Sequence, residues 1–313
     1  SHAKLRRLAG ASHEPQIRYF TLKITPRTRA AFCFGISLLL SALDFPCHAP
    51  APLLQKPDIA MPVYHLYFSP CSSTYDTTYA FCRAISQNAA IEVNLTDRET
   101  EVPEIPAGSV AVVAAPVYAG RIPTPMADKL ARARLEGVKV VTFAVYGGRA
   151  YEDALLELND LCEKAGATVL ASAATIAAHV FVPDLERGRP DANDFAEIKD
   201  FGRRVCEKYA KGETTPVIVP GNRPYRPAYK AAFVPETDTA MCRKCGVCVA
   251  ACPTGAIDAQ DPSKTDINLC INCMRCAASC ASGAKAQPAA AKAFITARLS
   301  PLLGGHKPNE FYV

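Results

Sequence analysis

The stretch CRKCGVCVAACPTGAIDAQDPSKTDINLCINCMRCAASC, residues 242–280, holds eight cysteines in two copies of one spacing. The first copy consists of Cys242, Cys245, Cys248 and Cys252. The second copy lies 28 residues further on and consists of Cys270, Cys273, Cys276 and Cys280. In each copy, two residues lie between the first and second cysteines and two between the second and third. Three residues then lie between the third and fourth. A repeated run of this kind supplies the thiolates for two metal centres.

Two other uses of cysteine fit this stretch less well. A zinc site takes four ligands in two pairs, often with histidine, whereas the stretch has a third cysteine in each short run and no histidine. A disulfide framework is typical of small secreted chains in an oxidising compartment. A chain of 313 residues with the α/β pattern described below lies outside that class.

The duplicated spacing resembles that of bacterial two-cluster [4Fe-4S] ferredoxins, over about residues 235–290. In such a run, three cysteines of one repeat share a cluster with the fourth cysteine of the other repeat. The resemblance therefore implies two crossed ligand sets. One set is Cys242, Cys245, Cys248 and Cys280, and the other is Cys270, Cys273, Cys276 and Cys252. Because only the first repeat continues with proline, Pro253, where the second has Ala281, we expect the two clusters to differ in environment and potential.

The composition is that of a globular chain with two domains. Apolar residues make up 49% of the chain, which allows a sizeable core, and the formal net charge is +5. Two clusters with their thiolates would reduce that charge to roughly +1, and no basic patch indicates a nucleic-acid partner. The six other cysteines show no ligand spacing and are expected as small buried apolar residues. They are Cys33, Cys47, Cys71, Cys82, Cys162 and Cys206.

Residues 1–60 differ from the rest of the chain. Basic residues precede an apolar run at 30–43 and a proline-rich stretch up to Pro57, an order that signal peptides also have. The run is shorter than the about 20 residues that a membrane span needs. We interpret residues 1–60 as an extension outside the core: upstream sequence from a mis-assigned start, a disordered segment or a signal-like one. Because labile clusters are assembled in the cytoplasm, we expect a cytoplasmic protein without a membrane partner.

Residues 61–213 alternate short apolar runs with longer stretches of helical periodicity. Strands are predicted at 63–68, 91–95, 110–115, 138–145 and 168–174, and helices at 77–88, 123–135, 151–165 and from a cap at Asp191 to Tyr209. Fully apolar strands separated by helices indicate a parallel sheet covered on both faces. We therefore predict an α/β fold, a flavodoxin-like doubly wound parallel sheet of order 2-1-3-4-5, followed by a small α+β ferredoxin domain.

Ligands of such sheets bind beyond the carboxyl ends of the strands, at the switch point between strands 1 and 3. Residues 69–74 place hydroxyls and backbone N–H groups before a helix, which can form a phosphate nest or simply cap the helix. The loops after strands 3 and 4 each have tyrosine close to glycine. These loops either contact a ligand or are ordinary glycine-containing turns. The candidate cofactor-binding residues are Ser69, Cys71, Ser72, Ser73, Thr74, Pro116, Tyr118, Gly120, Tyr146, Gly147, Gly148 and Tyr151.

The first of these loops resembles the phosphate loop of flavodoxins, with Cys71 in place of threonine and Ser72 in place of glycine. In flavodoxins, the loops after strands 3 and 4 enclose the isoalloxazine ring. Since the chain has no tryptophan, the resemblance implies Tyr118 and Tyr146 for that role, with Tyr151 behind them. Together with the cysteine repeats, PVYAGRIP at 116–123 and VYGGRAYEDALLEL at 145–158 resemble fusions of a flavodoxin-like domain with a two-cluster ferredoxin, over about residues 62–290. The resemblance implies an FMN-type domain that exchanges electrons with two [4Fe-4S] clusters.

A proline-rich stretch at 214–235 predicts a semi-rigid linker that sets the distance from the flavin site to the first cluster. We expect a flavodoxin-like domain at 61–213 and a ferredoxin-like domain at 236–287. A closing helix and a tail are expected at 288–313. An electron carrier that serves redox partner proteins is the first hypothesis, with no catalytic residue assigned. One alternative is a flavin- and iron–sulfur-dependent reductase of a small substrate, with Tyr146, Tyr151 or His179 as proton donor. The other is a docking or sensing module whose flavodoxin-like domain binds no flavin.

Overall fold

The computed structural model describes Ile59 and residues 61–313. The interpretation of residues 1–60 as an extension lies, apart from Ile59, outside the described residues. Residues 61–313 all belong to one compact unit of the chain. Among the described residues, no helix combines the length and the apolar character that crossing a membrane requires.

A six-stranded sheet of order β2-β1-β3-β4-β5-β8 forms the centre of the α/β part. Its parallel strands are β1 (Val63–Tyr67), β2 (Ile91–Asn94), β3 (Val110–Pro116), β4 (Lys139–Tyr146) and β5 (Thr168–Ile176). β3 and β4 are almost completely buried, as fully apolar central strands are in parallel sheets. The predicted order 2-1-3-4-5 is therefore confirmed.

Four helices cover the two faces of this sheet. They are α1 (Ser73–Ile85), α2 (Thr124–Arg132), α3 (Ala154–Lys164) and α4 (Ala192–Ala210). On the face covered by α1 and α4, Phe81, Phe143 and Phe201 form the centre of the core. As predicted, Asp191 caps α4: its carboxylate accepts two backbone N–H groups of the first turn, and the Asp194 side chain accepts the N–H of Asp191.

Helix α1 begins four residues before its predicted start. The hydroxyls of Thr77 and Thr78 donate to the carbonyls of Ser73 and Thr74, each at 2.8 Å. Both threonine side chains are fully buried. Because threonine is weakly polar and its hydroxyl is satisfied within the helix, this turn buries residues that the apolar pattern alone does not identify.

The predicted closing helix is present at the C-terminus, and it is followed by a strand of the central sheet that the sequence does not predict. Helix α7 (Ala289–Leu299) and a 3₁₀ turn (Ser300–Leu302) pack on the segment after β5, and β8 (Glu310–Tyr312) then pairs antiparallel with β5. The ring of Phe311 lies 4.8 Å from that of Phe201. β8 thereby covers an edge that would otherwise expose unpaired backbone groups.

The cysteine-rich part is small and repetitive. It contains β6 (Glu236–Thr237), α5 (Val247–Ala251), α6 (Arg275–Ala278) and β7 (Lys285–Ala286), with β6 and β7 paired antiparallel. Equivalent residues of the two repeats share an unusual backbone. Lys244 and Asn272 both have φ of 51°, and Gly246 and Met274 have φ of 76° and 59°. The sequence repeat is therefore also a repeat of backbone conformation.

Candidate functional site

A cavity of about 150 Å³ lies beyond the carboxyl ends of β1, β3, β4 and β5. This is the switch point at which ligands of open parallel sheets bind. Of the candidate cofactor-binding residues, the lining includes Ser69, Cys71, Ser73, Thr74, Pro116, Tyr118, Tyr146 and Gly147. The structure thus brings the three loops after β1, β3 and β4 together around one space.

The other four candidates are not part of this lining. Ser72 is exposed in the left-handed region, with φ of 68°, directly before α1. Gly120 and Gly148 approach the neighbouring acidic side chains, because an added Cβ would collide with Glu152 and Glu186. The Tyr151 hydroxyl donates to Glu310 at 2.7 Å and so ties the loop after β4 to the C-terminal strand.

Two hydroxyls at the start of α1 have no hydrogen-bond partner among the described residues and belong to residues that line the cavity. Ser69 Oγ is already occupied, since it accepts the N–H of Tyr75 at 3.0 Å. No residue in the described part of the chain hydrogen-bonds the hydroxyl of Ser73 or Thr74, and both residues line the cavity at the start of α1. Free donors at a helix N-terminus suit an anionic group such as a phosphate.

Aromatic rings form one wall and the floor of the cavity. Tyr118 lies edge-on to Tyr229, which comes from the linker, with ring centroids 6.4 Å apart. Burial raises the pKa of Tyr118 well above its usual range, so this phenol stays protonated. Tyr146 is only 5% exposed and packs on Tyr151. Tyr146 therefore belongs to the floor, while Tyr118 and Tyr229 present the open wall.

His179 lines the cavity as a neutral imidazole. Its Nδ1 accepts the backbone N–H groups of Phe181 and Val182, at 3.2 and 3.3 Å. The ring proton is therefore on Nε2. Burial, assisted by the positive charge of Arg149, lowers the pKa of His179 to about 4. At neutral pH the residue offers a hydrogen-bond donor and is not a ready source of protons, which disfavours it as the proton donor of a reductase.

Four cysteines from both repeats line a second, smaller cavity of about 20 Å³. They are Cys252, Cys270, Cys273 and Cys276, the crossed ligand set that the resemblance implies. Burial raises the pKa of Cys276 to about 11, and the nearby Cys252 adds to the increase. Binding iron must therefore displace protons from these thiols. Among the described residues, no three His, Cys, Asp or Glu side chains converge as the ligands of one metal ion do, whereas the thiolates of a four-iron cluster bind separate iron atoms.

The cysteines of the ligand set expected for the first repeat differ in their exposure. Cys248 is buried, whereas Cys245 is exposed. The pairing of β6 with β7 continues with a hydrogen bond from the N–H of Asp238 to the carbonyl of Ala284, at 2.8 Å. This pairing returns the chain after Cys280 to the start of the first repeat.

The second repeat lies against the α/β part. Ile271 and Cys273 line both cavities, and Cys71 Sγ donates to the carbonyl of Cys273 at 3.3 Å. Asn272 accepts the Tyr229 hydroxyl at 2.8 Å and is only 3% exposed. The wall between the two cavities belongs to the second repeat, and the expectation that the linker sets the distance to the first cluster stays a prediction.

The apolar residues near the cysteines differ in their burial. Ile257 is buried among the cysteines, with Val249 packed beside it, and Ile271 reaches the α/β core. Val247 is 47% exposed and does not contribute to a dry shell. Of the six other cysteines, Cys82, Cys162 and Cys206 are buried as predicted, Cys71 is exposed, and Cys33 and Cys47 lie outside the described residues.

The linker is held on α3 by two carboxylates. Asp153 accepts the backbone N–H groups of Asn222 and Arg226, at 2.9 and 2.7 Å. The carboxylate of Asp160 accepts hydrogen bonds from the guanidinium of Arg223 and from the hydroxyl of Tyr225. The predicted Pro-rich connection is thus a strap bound along the α/β part, and it carries Tyr229 to the cavity.

We expect acid to release this strap. Burial acts to raise the pKa of Asp153, but hydrogen bonds from Arg226 and Asn222 outweigh it and hold that pKa below its usual range. The carboxylate therefore stabilises the bound strap above the ordinary aspartate pKa of about 3.9, and this contribution is lost as the pH falls through the lower folded-state value. Hydrogen exchange, corrected for its intrinsic pH dependence, should show protected amides at 222 and 226 at neutral pH, and this protection should be lost in acid, below the ordinary aspartate pKa of about 3.9. An Asp153→Ala variant should lack the protection already at pH 7, and protection that persists in both cases would contradict the expectation.

Known proteins resemble the two parts separately. Residues 235–258, which contain the first repeat, match the family described as 4Fe-4S binding domain. The chain is similar to a flavodoxin of Streptococcus pneumoniae TIGR4, at 15% identity and a TM-score of 0.33, over 47% of this chain and 98% of that chain. It is also similar to a flavodoxin from the domain Archaea, at 18% identity and a TM-score of 0.34, over 48% of this chain and 99% of that chain. No curated protein matches the sequence.

The strand order and the matched cysteine domain define the class of this protein. It is a fusion of a flavodoxin-like α/β domain with an iron–sulfur domain of ferredoxin type. Residues 235–258 accordingly carry a 4Fe-4S binding domain.

Proposed function

We propose that the chain passes electrons between an FMN-type flavin in the larger cavity and two [4Fe-4S] clusters held by the eight cysteines. The observation that carries the proposal is the wall of Ile271 and Cys273, which the two cavities share. Cys273 is one of the proposed ligands, so the cluster of the second repeat would lie directly beside the flavin. The cluster of the first repeat would then be the outer centre, next to solvent at Cys245.

The residues of the larger cavity fit a flavin mononucleotide. The open hydroxyls of Ser73 and Thr74 at the start of α1 suit its phosphate. The rings of Tyr118 and Tyr229 offer an aromatic wall for a planar ring system. His179 supplies a neutral donor, so the cavity has hydrogen bonds to offer but no imidazolium charge.

A bound flavin supplies conversion between one- and two-electron transfer, and each cluster carries single electrons. The protein's part is to hold these centres close together and to tune their potentials. Backbone N–H groups of Ala256 and Asn272 donate to the sulfurs of Cys252 and Cys270, at 3.3 and 3.4 Å. Such hydrogen bonds, together with solvent exposure, set cluster potentials. Cys273 is half-buried between the two cavities, whereas Cys245 is exposed. This difference in exposure is a second physical reason to expect two clusters of different potential.

Metal and flavin analysis of anaerobically purified protein tests the proposal. We expect about eight iron and eight acid-labile sulfide per chain, the content of two [4Fe-4S] clusters, together with one FMN after reconstitution. Eight iron without flavin binding would favour the alternative in which the α/β domain only docks or senses. Zinc in place of iron would contradict the proposal for the clusters themselves.

Replacing Tyr118 should weaken flavin binding. Because Tyr118→Leu removes an aromatic face from the cavity wall, we expect the Kd of FMN to increase about tenfold, equivalent to about 1.4 kcal/mol. The matched control is Tyr79→Leu, which changes an exposed tyrosine of α1 outside the cavity lining. Fluorescence titration of the apoprotein gives both constants, and equal affinities for the two variants would contradict the role of Tyr118.

A further inference from the structure

The two cysteine repeats have the same backbone but face different surroundings. Asn272 has φ of 51° and is buried at the contact with the α/β part. Its equivalent in the first repeat, Lys244, has the same φ of 51° and is exposed. Ile271 likewise corresponds to the exposed Arg243, and Cys273 to the exposed Cys245. The face with which the second repeat contacts its partner domain is therefore open in the first repeat.

This open face has apolar side chains with cations beside them. Met241 and Val247 are 49% and 47% exposed on either side of Cys245. Of the acidic side chains that the structure describes, none forms an ion pair with Arg243 or Lys244. The nearby Asp238 carboxylate instead accepts the backbone N–H groups of Ala240 and Met241. Cations without an ion-pair partner beside exposed apolar side chains are the composition of a surface that steers and docks a partner.

We propose that residues 241–247, the outer loop, are the docking site for a separate one-electron redox protein with an acidic surface. The proposal rests on the proposed function, because the outer loop holds two of the four proposed ligands of the outer cluster, Cys242 and Cys245. One electron crosses in each encounter: the outer cluster is oxidised while the partner's own centre is reduced, or the reverse, and no proton or bond moves. The second repeat contacts the α/β part through Ile271 and Asn272. At the equivalent positions the outer loop has Arg243 and Lys244, and these positive charges favour a partner with an acidic surface.

The same charges disfavour a second copy of this chain as the occupant. A symmetric dimer through the outer loop would bring Arg243 and Lys244 of one copy against those of the other. Like charges at a contact cost free energy that the two apolar side chains of each copy would have to offset. The charge of the outer loop therefore favours an acidic partner over self-association.

A double charge reversal, Arg243→Glu with Lys244→Glu, tests this proposal on the full chain with its clusters. The probe is an acidic plant-type ferredoxin, with its Kd measured by calorimetry and its electron exchange by anaerobic stopped flow. At low ionic strength we expect the Kd to increase and the rate constant to fall, each at least about tenfold. Salt should reduce the difference. The matched control, Lys164→Glu with Lys199→Glu, reverses two exposed lysines on α3 and α4 and should change either value less than twofold.

Further measurements separate the possible failures. Electron exchange with menadione, a small neutral quinone, should be the same in both double variants. The surface charges of the protein neither attract nor repel a neutral molecule, so their reversal should not change this rate. Iron analysis is performed first on the unmodified protein. A chain without the outer cluster would contradict the proposed function. A chain with both clusters whose Kd for the ferredoxin is unaffected by the reversal, or which binds a basic c-type cytochrome more tightly than the ferredoxin, would overturn the docking proposal alone.

Discussion

The Cys252→Ala variant is expected to lose the cluster of the second repeat and to keep that of the first. Iron should fall from about eight to about four per chain. The physical reason is that Cys252 belongs in sequence to the first repeat but lines the cavity of Cys270, Cys273 and Cys276. Removing one of four thiolates leaves an iron atom without its protein ligand. Cys280→Ala should have the opposite effect and empty the site of the first repeat.

Spectroscopy identifies which cluster is lost. Electron paramagnetic resonance of the reduced Cys252→Ala protein should show one cluster without the magnetic interaction that two neighbouring reduced clusters produce. The matched control is Cys82→Ala, which removes a buried thiol of α1 far from the repeats in sequence and should leave the iron content unchanged. If Cys252→Ala instead emptied the site of Cys242, Cys245 and Cys248, the crossed ligand sets would be wrong.

The Glu157→Ala variant is expected to have the largest effect on the stability of the α/β part. Glu157 is 4% exposed, and its two carboxylate oxygens accept Nε and Nη2 of Arg121, each at 2.7 Å. It also accepts the N–H of Ile122 at 3.1 Å. Removing one partner of a buried ion pair leaves the other charge uncompensated, which costs about 3–5 kcal/mol. We expect a loss of that size in the free energy of unfolding.

Arg121 connects this ion pair to the linker. Its guanidinium lies 4.9 Å from the ring centroid of Tyr225 and hydrogen-bonds the carbonyl of Arg226. Urea unfolding followed by circular dichroism measures the stability, and the control is Glu163→Ala, an exposed acid on the same helix that should change it by less than about 0.5 kcal/mol. Equal midpoints for Glu157→Ala and Glu163→Ala would show that the ion pair does not stabilise the domain.

The central sheet was predictable because its strands are apolar along their whole length. In β3, six consecutive residues are buried. The strand is therefore recognised as one uninterrupted apolar run, without an alternation of apolar and polar residues. Asp191 was predictable for a similar reason, since the polar cap precedes a clear helical pattern. β8 has only three residues, and its place depends on Phe201 and Tyr151, which are more than a hundred positions away. No local pattern contains such contacts.

The candidate site was only partly predictable. The loops after β1, β3 and β4 follow from the topology, which places the ends of parallel strands at one edge. Tyr229 is a single aromatic residue in a proline-rich segment, and its position depends on Asn272 and on the carboxylates of α3. The contact of the second repeat with the cavity depends on how two domains dock, and equivalent cysteine spacings in the two repeats carry no information on which of them faces inward.

The most direct test of the account is the rate of electron exchange between bound flavin and the outer cluster, with and without the inner one. In the full chain, anaerobic stopped flow should show the outer cluster reduced by electrons delivered at the flavin site within a single turnover. In Cys252→Ala, which should retain the outer cluster, this transfer should slow greatly because the inner cluster beside Ile271 and Cys273 is missing. An unchanged rate in a variant shown to lack the inner cluster would contradict the proposed path.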